Sequence, residues 1–202
     1  MNFLLSIDCQ AHKKFMDSLI FGIQHKIMIM IFLYIFGGIV VLFLLVGFTS
    51  PRFARMNRSI QINASAEQVF PYLNNLKTFV DTWSPWTEKD PNAAHEYNDI
   101  AEGQGAFYSW KGEPKKVGEG SMKILESETN KHVKTHLSFK GRGDAQAGWT
   151  IAESGDGVKV TWDFESDNGM NPMGRFFGRF MDKFLGPDYE AGLNNLKKVV
   201  EG

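Results

Sequence analysis

The sequence predicts an α+β domain, a curved antiparallel sheet wrapped around a long C-terminal helix, preceded by one transmembrane helix. Three observations carry this. Residues 27–48, IMIMIFLYIFGGIVVLFLLVGF, form an uncharged run of 22 residues, and about 20 helical residues cross a bilayer core of roughly 30 Å. Between His95 and Glu165, apolar and polar residues alternate in short segments separated by turns, the mark of a sheet dry on one side. After Asn171 the period changes to 3.6, the mark of an amphipathic helix.

The elements follow in chain order. Residues 1–26 are a head segment mixing Phe, Leu and Ile with His and Lys, a composition that suits an interfacial helix; no function is assigned to it. Cys9, the sole cysteine, excludes an internal disulfide and a cysteine-based zinc site, and reads as an ordinary thiol. The run 27–48 is too long for a signal h-region of about 7–15 residues and starts too late. It is apolar on every face, unlike an amphipathic core helix, so it reads as a single-pass anchor. Lys13, Lys14 and Lys26 precede it and Arg52, Arg55 and Arg58 follow it, so the positive-inside comparison ties. Met28 and Met30 are alternative starts; from either, the arginines alone would hold the following domain in the cytoplasm, the location the sequence favours. Residues 49–56 read as a linker, and 57–202 as one domain with its own core.

Within that domain, Arg58-Ser-Ile-Gln-Ile-Asn63 alternates as a strand does. Ser65-Ala-Glu-Gln68 is a capping box that opens a helix, with Val69, Phe70 and Leu73 as its apolar face. Pro71 lies too far in for a first-turn proline, so this helix is short or kinked. A second short helix spans 75–82. Trp83-Ser-Pro-Trp86 and the turn at Asp90-Pro-Asn92 follow. The strands then place Tyr108 and Trp110 on one parity, Met122 and Ile124 on another segment's face, then Val133, Leu137 and Phe139, then Trp149 and Ile151. Gly141-Arg-Gly-Asp144 reads as a loop. Gly155-Asp-Gly157 is a turn, and Val158, Val160, Trp162 and Phe164 alternate with Lys159, Thr161, Asp163 and Glu165. Asn171 caps the last helix with Pro172 at its first position. Met173, Phe176, Phe177, Phe180, Met181, Phe184 and Leu185 make its apolar stripe, expected to lid the sheet; insertion of the phenylalanines into a bilayer is the alternative. Gly186-Pro187 is expected to stop or kink the helix. Tyr189, Leu193, Leu196 and Val200 form a second buried stripe.

A formal net charge of −1 supplies no basic field for nucleic acid. There is no P-loop, no strand-borne G-x-G-x-x-G, no H-E-x-x-H and no G-x-S-x-G. No cofactor or metal is expected. His132 and His136 share a parity opposite the dry one and read as solvated. Asp81, Glu88 and Asp90 lie near the tryptophans as general acid or base candidates, with solvated loop carboxylates the plainer account.

Several segments together resemble the START/pollen-allergen-like (SRPBCC) superfamily, in its polyketide cyclase/dehydrase and lipid-transport branch. They are Arg58 through Phe70, Trp83-Ser-Pro-Trp86, Asp90-Pro91, Gly105-Ala-Phe-Tyr-Ser-Trp-Lys-Gly112, Gly118-Glu-Gly-Ser-Met122 and Gly192-Leu-Asn-Asn-Leu-Lys197. Their order and spacing span nearly the whole soluble domain. The resemblance implies a helix-grip fold with an apolar cavity between sheet and C-terminal helix. It implies much less about activity, since one fold hosts many functions, and no catalytic set maps residue by residue onto this chain. Aromatic side chains line pockets for small apolar molecules. The expected ligand-binding residues are therefore Trp83, Trp86, Tyr108, Trp110, Trp149, Trp162, Phe176 and Phe180, with core filling as the alternative role. The expected partners are a hydrophobic small molecule or lipid, and a membrane. A polyketide cyclase/dehydrase-like enzyme on a lipophilic substrate and a membrane-tethered sensory or interaction module are the alternatives.

Overall fold

The computed structural model describes residues 2–202; the thiol of Cys9 lies outside the described side chains. The chain forms two compact units, Met1–Val46 and Gly47–Gly202. Helix α1 runs Asn2–Thr49; it makes up the first unit, and its last residues, from Gly47 on, belong to the second. Its section Phe21–Thr49 is long and apolar enough to cross a membrane, and none of its most apolar 18-residue stretch is buried.

In the second unit seven strands form one antiparallel sheet, in the order β1-β7-β6-β5-β4-β3-β2. They are β1 (Phe53–Ile62), β2 (Ala94–Tyr97), β3 (Phe107–Lys111), β4 (Glu119–Glu128), β5 (His132–Phe139), β6 (Gly143–Ser154) and β7 (Gly157–Asp167). Strand β1 starts at Phe53, ahead of the alternation read from Arg58. Strand β6 takes in Gly143 and Asp144, so only the first part of the expected 141–144 loop is a turn. β1 and β7 pair in register from Phe53 opposite Asp167 to Ile62 opposite Val158. Arg52 pins one end of this ladder: its Nε donates to Asp167 Oδ1 at 2.7 Å and its Nη2 to Oδ2 at 2.5 Å. That guanidinium, with the Gly169 N–H, holds the Asp167 carboxyl down to about 2.

The dry face is the one the alternation predicts. Val158, Val160, Trp162 and Phe164 are buried, as are Trp149, Ile151, Val133, Leu137, Met122, Ile124 and Tyr108. Helix α2 (Ala66–Asn74) opens with the expected capping box, in which Gln68 Oε1 accepts from the Ser65 N–H at 2.9 Å. It contains Pro71 and buries Val69, Phe70 and Leu73. Asn75 Oδ1 then accepts from the Thr78 N–H at 3.0 Å and caps the short helix α3 (Leu76–Thr78). This passes into a π-helical turn, Phe79–Trp83, followed by helix α4 (Pro85–Lys89). The turn rolls Phe79 and Trp83 inward together, with ring centres 4.6 Å apart.

The C-terminal helix departs from its expected layout. Asn171 caps α5 (Pro172–Gly178), but the break falls at Arg179-Phe180, and α6 runs uninterrupted through Pro187 from Met181 to Glu201. Gly186-Pro187 does not stop it. Phe180 has φ −101° and ψ 4°, outside the helical basin, so α5 and α6 do not share one stripe. The expected lid of phenylalanines is thereby lost: Met173, Phe177, Phe180 and Phe184 are exposed. The sheet is covered instead by Tyr189, Gly192, Leu193 and Leu196 of α6. Tyr189 stacks on Trp162 at 4.0 Å, a contact of about 0.5–1.5 kcal/mol beyond its area burial.

Candidate functional site

Between the β2–β5 half of the sheet, α4 and α6 lies an apolar cavity of about 100 Å³. Tyr108 and Trp110 enter it from β3, Met122 from β4, Leu137 and Phe139 from β5, and Phe164 from β7. Val80, Ser84, Trp86 and Thr87 close one side, and Leu185 and Tyr189 of α6 another. Among the described residues no charged side chain lines it. Trp86, Trp110, Phe139 and Leu185 are only half-buried, so the cavity opens on their side.

Hydrogen bonds fix the aromatic walls. Trp86 Nε1 donates to Asp188 Oδ2 at 3.2 Å, and Lys89 Nζ lies 2.5 Å from Asp188 Oδ1. One carboxylate of α6 thus ties down α4 beside the opening. Trp110 Nε1 donates to the Val117 carbonyl at 3.1 Å. Tyr108 packs against His95 at 6.0 Å and against Trp110 at 5.6 Å, centre to centre. Asp90, expected as a solvated loop carboxylate, is buried and accepts from the Glu113 N–H at 2.7 Å; it holds the turn after β3 and does not line the cavity. Asp81 pairs with Lys77, and Glu88 is exposed.

Of the eight aromatic residues singled out from the sequence, the structure brings Trp86, Tyr108 and Trp110 to the cavity. Trp83, Trp149 and Trp162 do not line it. They are each about 1% exposed and interlock in the core, Trp83 to Trp162 at 5.4 Å and Trp149 to Trp162 at 5.6 Å. Phe176 and Phe180 lie at α5 and the α5–α6 break, away from the lining. His132 and His136 stand on the outer face, beside Glu128 and Asp144.

The sequence reading missed His95. It lines the cavity, and its Nδ1 is buried with no hydrogen-bond partner. Burial pushes its pKa down, against a smaller opposing pull from Asp81, so the imidazole is neutral at pH 7. Burial likewise raises the hydroxyls of Tyr108 and Tyr189 far above their ordinary value. The polar groups of the lining are therefore uncharged donors and acceptors. What brings His95 to the cavity is the β2–β3 register, which sets it opposite Trp110.

A curved antiparallel sheet gripping a C-terminal helix, with an uncharged aromatic cavity between them, defines the helix-grip class of fold. The chain belongs to the family described as polyketide cyclase/dehydrase and lipid transport, whose model matches residues 54–201. Similar solved structures include SA2116 from Staphylococcus aureus, a protein of unknown function. It aligns over 74% of this chain and 94% of its own at 11% identity, with a TM-score of 0.55. The di-domain ARO/CYC BexL of the BE-7585A biosynthetic pathway aligns at 13% identity and a TM-score of 0.54, over 75% of this chain and 51% of its own. Ara h 8.0201 aligns at 13% identity and a TM-score of 0.51, over 74% of this chain and 98% of its own. At these identities the likeness is one of fold. No curated protein matches the chain.

Proposed function

We propose that this protein holds an uncharged hydrophobic small molecule, or the apolar part of a lipid, in the cavity between sheet and α6, while α1 anchors it in a membrane. The observation that carries the reading is a lining without a single charged side chain. Desolvating an apolar surface there is favourable by about 25 cal/mol per Å², whereas an ionised group would find no partner. The unpaired Nδ1 of His95 supplies one polar anchor for a ligand hydroxyl, carbonyl or amide.

Size narrows the class. Ordinary ligand pockets occupy roughly 300–1,000 Å³, and an apolar cavity of about 150 Å³ takes benzene. At about 100 Å³ the cavity falls short of that and, as it stands, admits a short chain segment. A bulkier ligand requires Trp86 and Leu185 to swing outward. The test is uptake of a small apolar fluorophore by the full chain in detergent, compared with a Leu137→Trp variant that fills the space. Uptake by the parent and its loss in the variant support the reading; equal uptake by both rejects the cavity as the site.

A second reading, acid–base catalysis on a lipophilic substrate, draws support from the same residue. A neutral imidazole beside the Tyr108 ring has the groups that proton transfer needs. Replacing His95 by Phe separates the two readings: a binding role predicts weakened affinity, a catalytic one predicts retained binding with turnover abolished.

A further inference from the structure

The Phe-rich segment that fails to lid the sheet needs another explanation. Met170, Met173, Phe177, Phe180 and Phe184 are 72%, 56%, 50%, 41% and 60% exposed, all within one short stretch of chain. Contiguous exposed apolar side chains of this kind mark an interaction surface. We propose that this stretch is a second membrane contact, inserted at the interface of the bilayer that α1 enters. The inference rests on the anchoring role given to α1.

The occupant follows from position and charge. Gly47 and Phe48, the closing residues of α1, lie directly against α5. A Cβ built on Gly47 would stand 2.6 Å from the Pro172 carbonyl oxygen and 2.8 Å from Pro172 Cβ, so the two backbones touch. Arg175 Nη1 donates to the Phe48 carbonyl at 3.2 Å, and Arg179 Nη1 lies 3.5 Å from Ser50 Oγ. The candidate span ends at Thr49, so the patch begins where the chain leaves the hydrocarbon. An interfacial helix buries its apolar face about 5–10 Å into the headgroup boundary, which this contact puts within reach of α5.

The charges fit an anionic lipid surface. Arg175, Arg179 and Lys183 interleave with the phenylalanines, and none makes a salt bridge among the described residues. The one carboxylate among them, Asp182, is neutralised by Arg58, whose Nη1 lies 2.7 Å from Asp182 Oδ1. Basic residues alternating with Phe are the pattern of a helix lying in the membrane plane, where each cation is attracted to lipid phosphate. The far end of the domain is different in kind. The turn at Asp156 joins β6 to β7 at the Ile62 end of β1, and the ten residues of β1 set it roughly 30 Å from Phe53 at about 3.3 Å per residue.

The experiment uses the full chain in nanodiscs of phosphatidylcholine and phosphatidylglycerol, with Cys9→Ser removing the native thiol. A polarity-sensitive fluorophore is placed at Phe177→Cys, at Phe36→Cys in the span, and at Asp156→Cys as aqueous reference. The proposal expects blue-shifted emission at 177 that brominated lipid chains quench, with the 156 site unshifted and unquenched. Quenching at 36 but aqueous emission at 177 overturns the proposal and leaves the anchor standing. Blue-shifted emission at 177 without quenching means protein covers the patch, which also overturns it. No quenching at 36 removes the anchor and the proposal with it.

Discussion

At Gly192 the grip leaves no room for a side chain. A Cβ built there would stand 2.7 Å from Cζ3 of Trp162 and 3.0 Å from Cδ of Pro85. Neither neighbour can yield: Trp162 is stacked on Tyr189 and boxed in by Trp83 and Trp149, and the proline ring is rigid. Overpacking of this kind costs about 1–3 kcal/mol, and the rigid surroundings place Gly192→Ala in the upper part of that range. The gain in helix propensity returns about 1 kcal/mol, leaving a net loss of about 1–2 kcal/mol. For a domain of this size, each kcal/mol lowers Tm by about 2–4 °C. The same substitution at Gly186, on the same helix, meets the far end of Arg58, which can swing aside. It gives up at most the Arg58 pairs with Asp182 and Glu190, exposed enough to be worth little. Thermal unfolding of the full chain in detergent, followed by near-UV circular dichroism, should show Tm falling by about 2–8 °C for Gly192→Ala and unchanged or raised for Gly186→Ala. If both variants raise Tm equally, helix propensity governs α6 and the clamp on Trp162 is refuted.

Two further outcomes follow from the cavity. Asp188→Ala removes the acceptor of Trp86 and the partner of Lys89; it should cost about 1–3 kcal/mol and admit an apolar fluorophore faster, read by unfolding and by stopped-flow uptake. His95 has a depressed folded pKa, so below its ordinary value the unfolded chain binds the proton first. Its contribution to stability is complete above about pH 6.5 and is lost as pH falls toward the folded pKa; affinity for an apolar ligand should hold through that window and fall only below the folded pKa, where the imidazole of the folded chain takes up its proton. A His95→Phe variant should flatten both slopes on the acid side of about pH 6.5, and unchanged slopes would remove His95 from the account.

Much of this architecture is legible in the chain because local chemistry and long-range packing agree. The alternation of Val158 through Phe164 gives the dry face of β7, the Ser65–Gln68 box opens α2, and Asn171-Pro172 opens α5. Alternation assigns a face but not a depth across the sheet. Trp149 sits opposite Trp162 in the β6–β7 pairing, where Phe79 and Trp83 press down from the π-helical turn, and so belongs to the core. Tyr108, on the same face, lies toward the β2 edge, where α4 and α6 leave space. Only the non-local register separates these fates. The π-helical turn itself has no periodic signature in five residues. Gly186-Pro187 looked the stronger helix breaker, yet α6 continues through it, and the chain turns at Phe180 instead. The 3.6 period read across Met173 to Leu185 therefore runs over a break, and the phenylalanines it collects do not close over the sheet.

The central claim is that the helix-grip cavity holds an uncharged apolar molecule. The most direct measurement is native mass spectrometry of the full chain released from membranes extracted in mild detergent, with the Leu137→Trp variant alongside. The account predicts a discrete adduct of small-molecule or lipid mass on the parent that the variant lacks. Parent protein that is bare, and stays bare after incubation with a panel of apolar ring compounds and single-chain lipids, would contradict it.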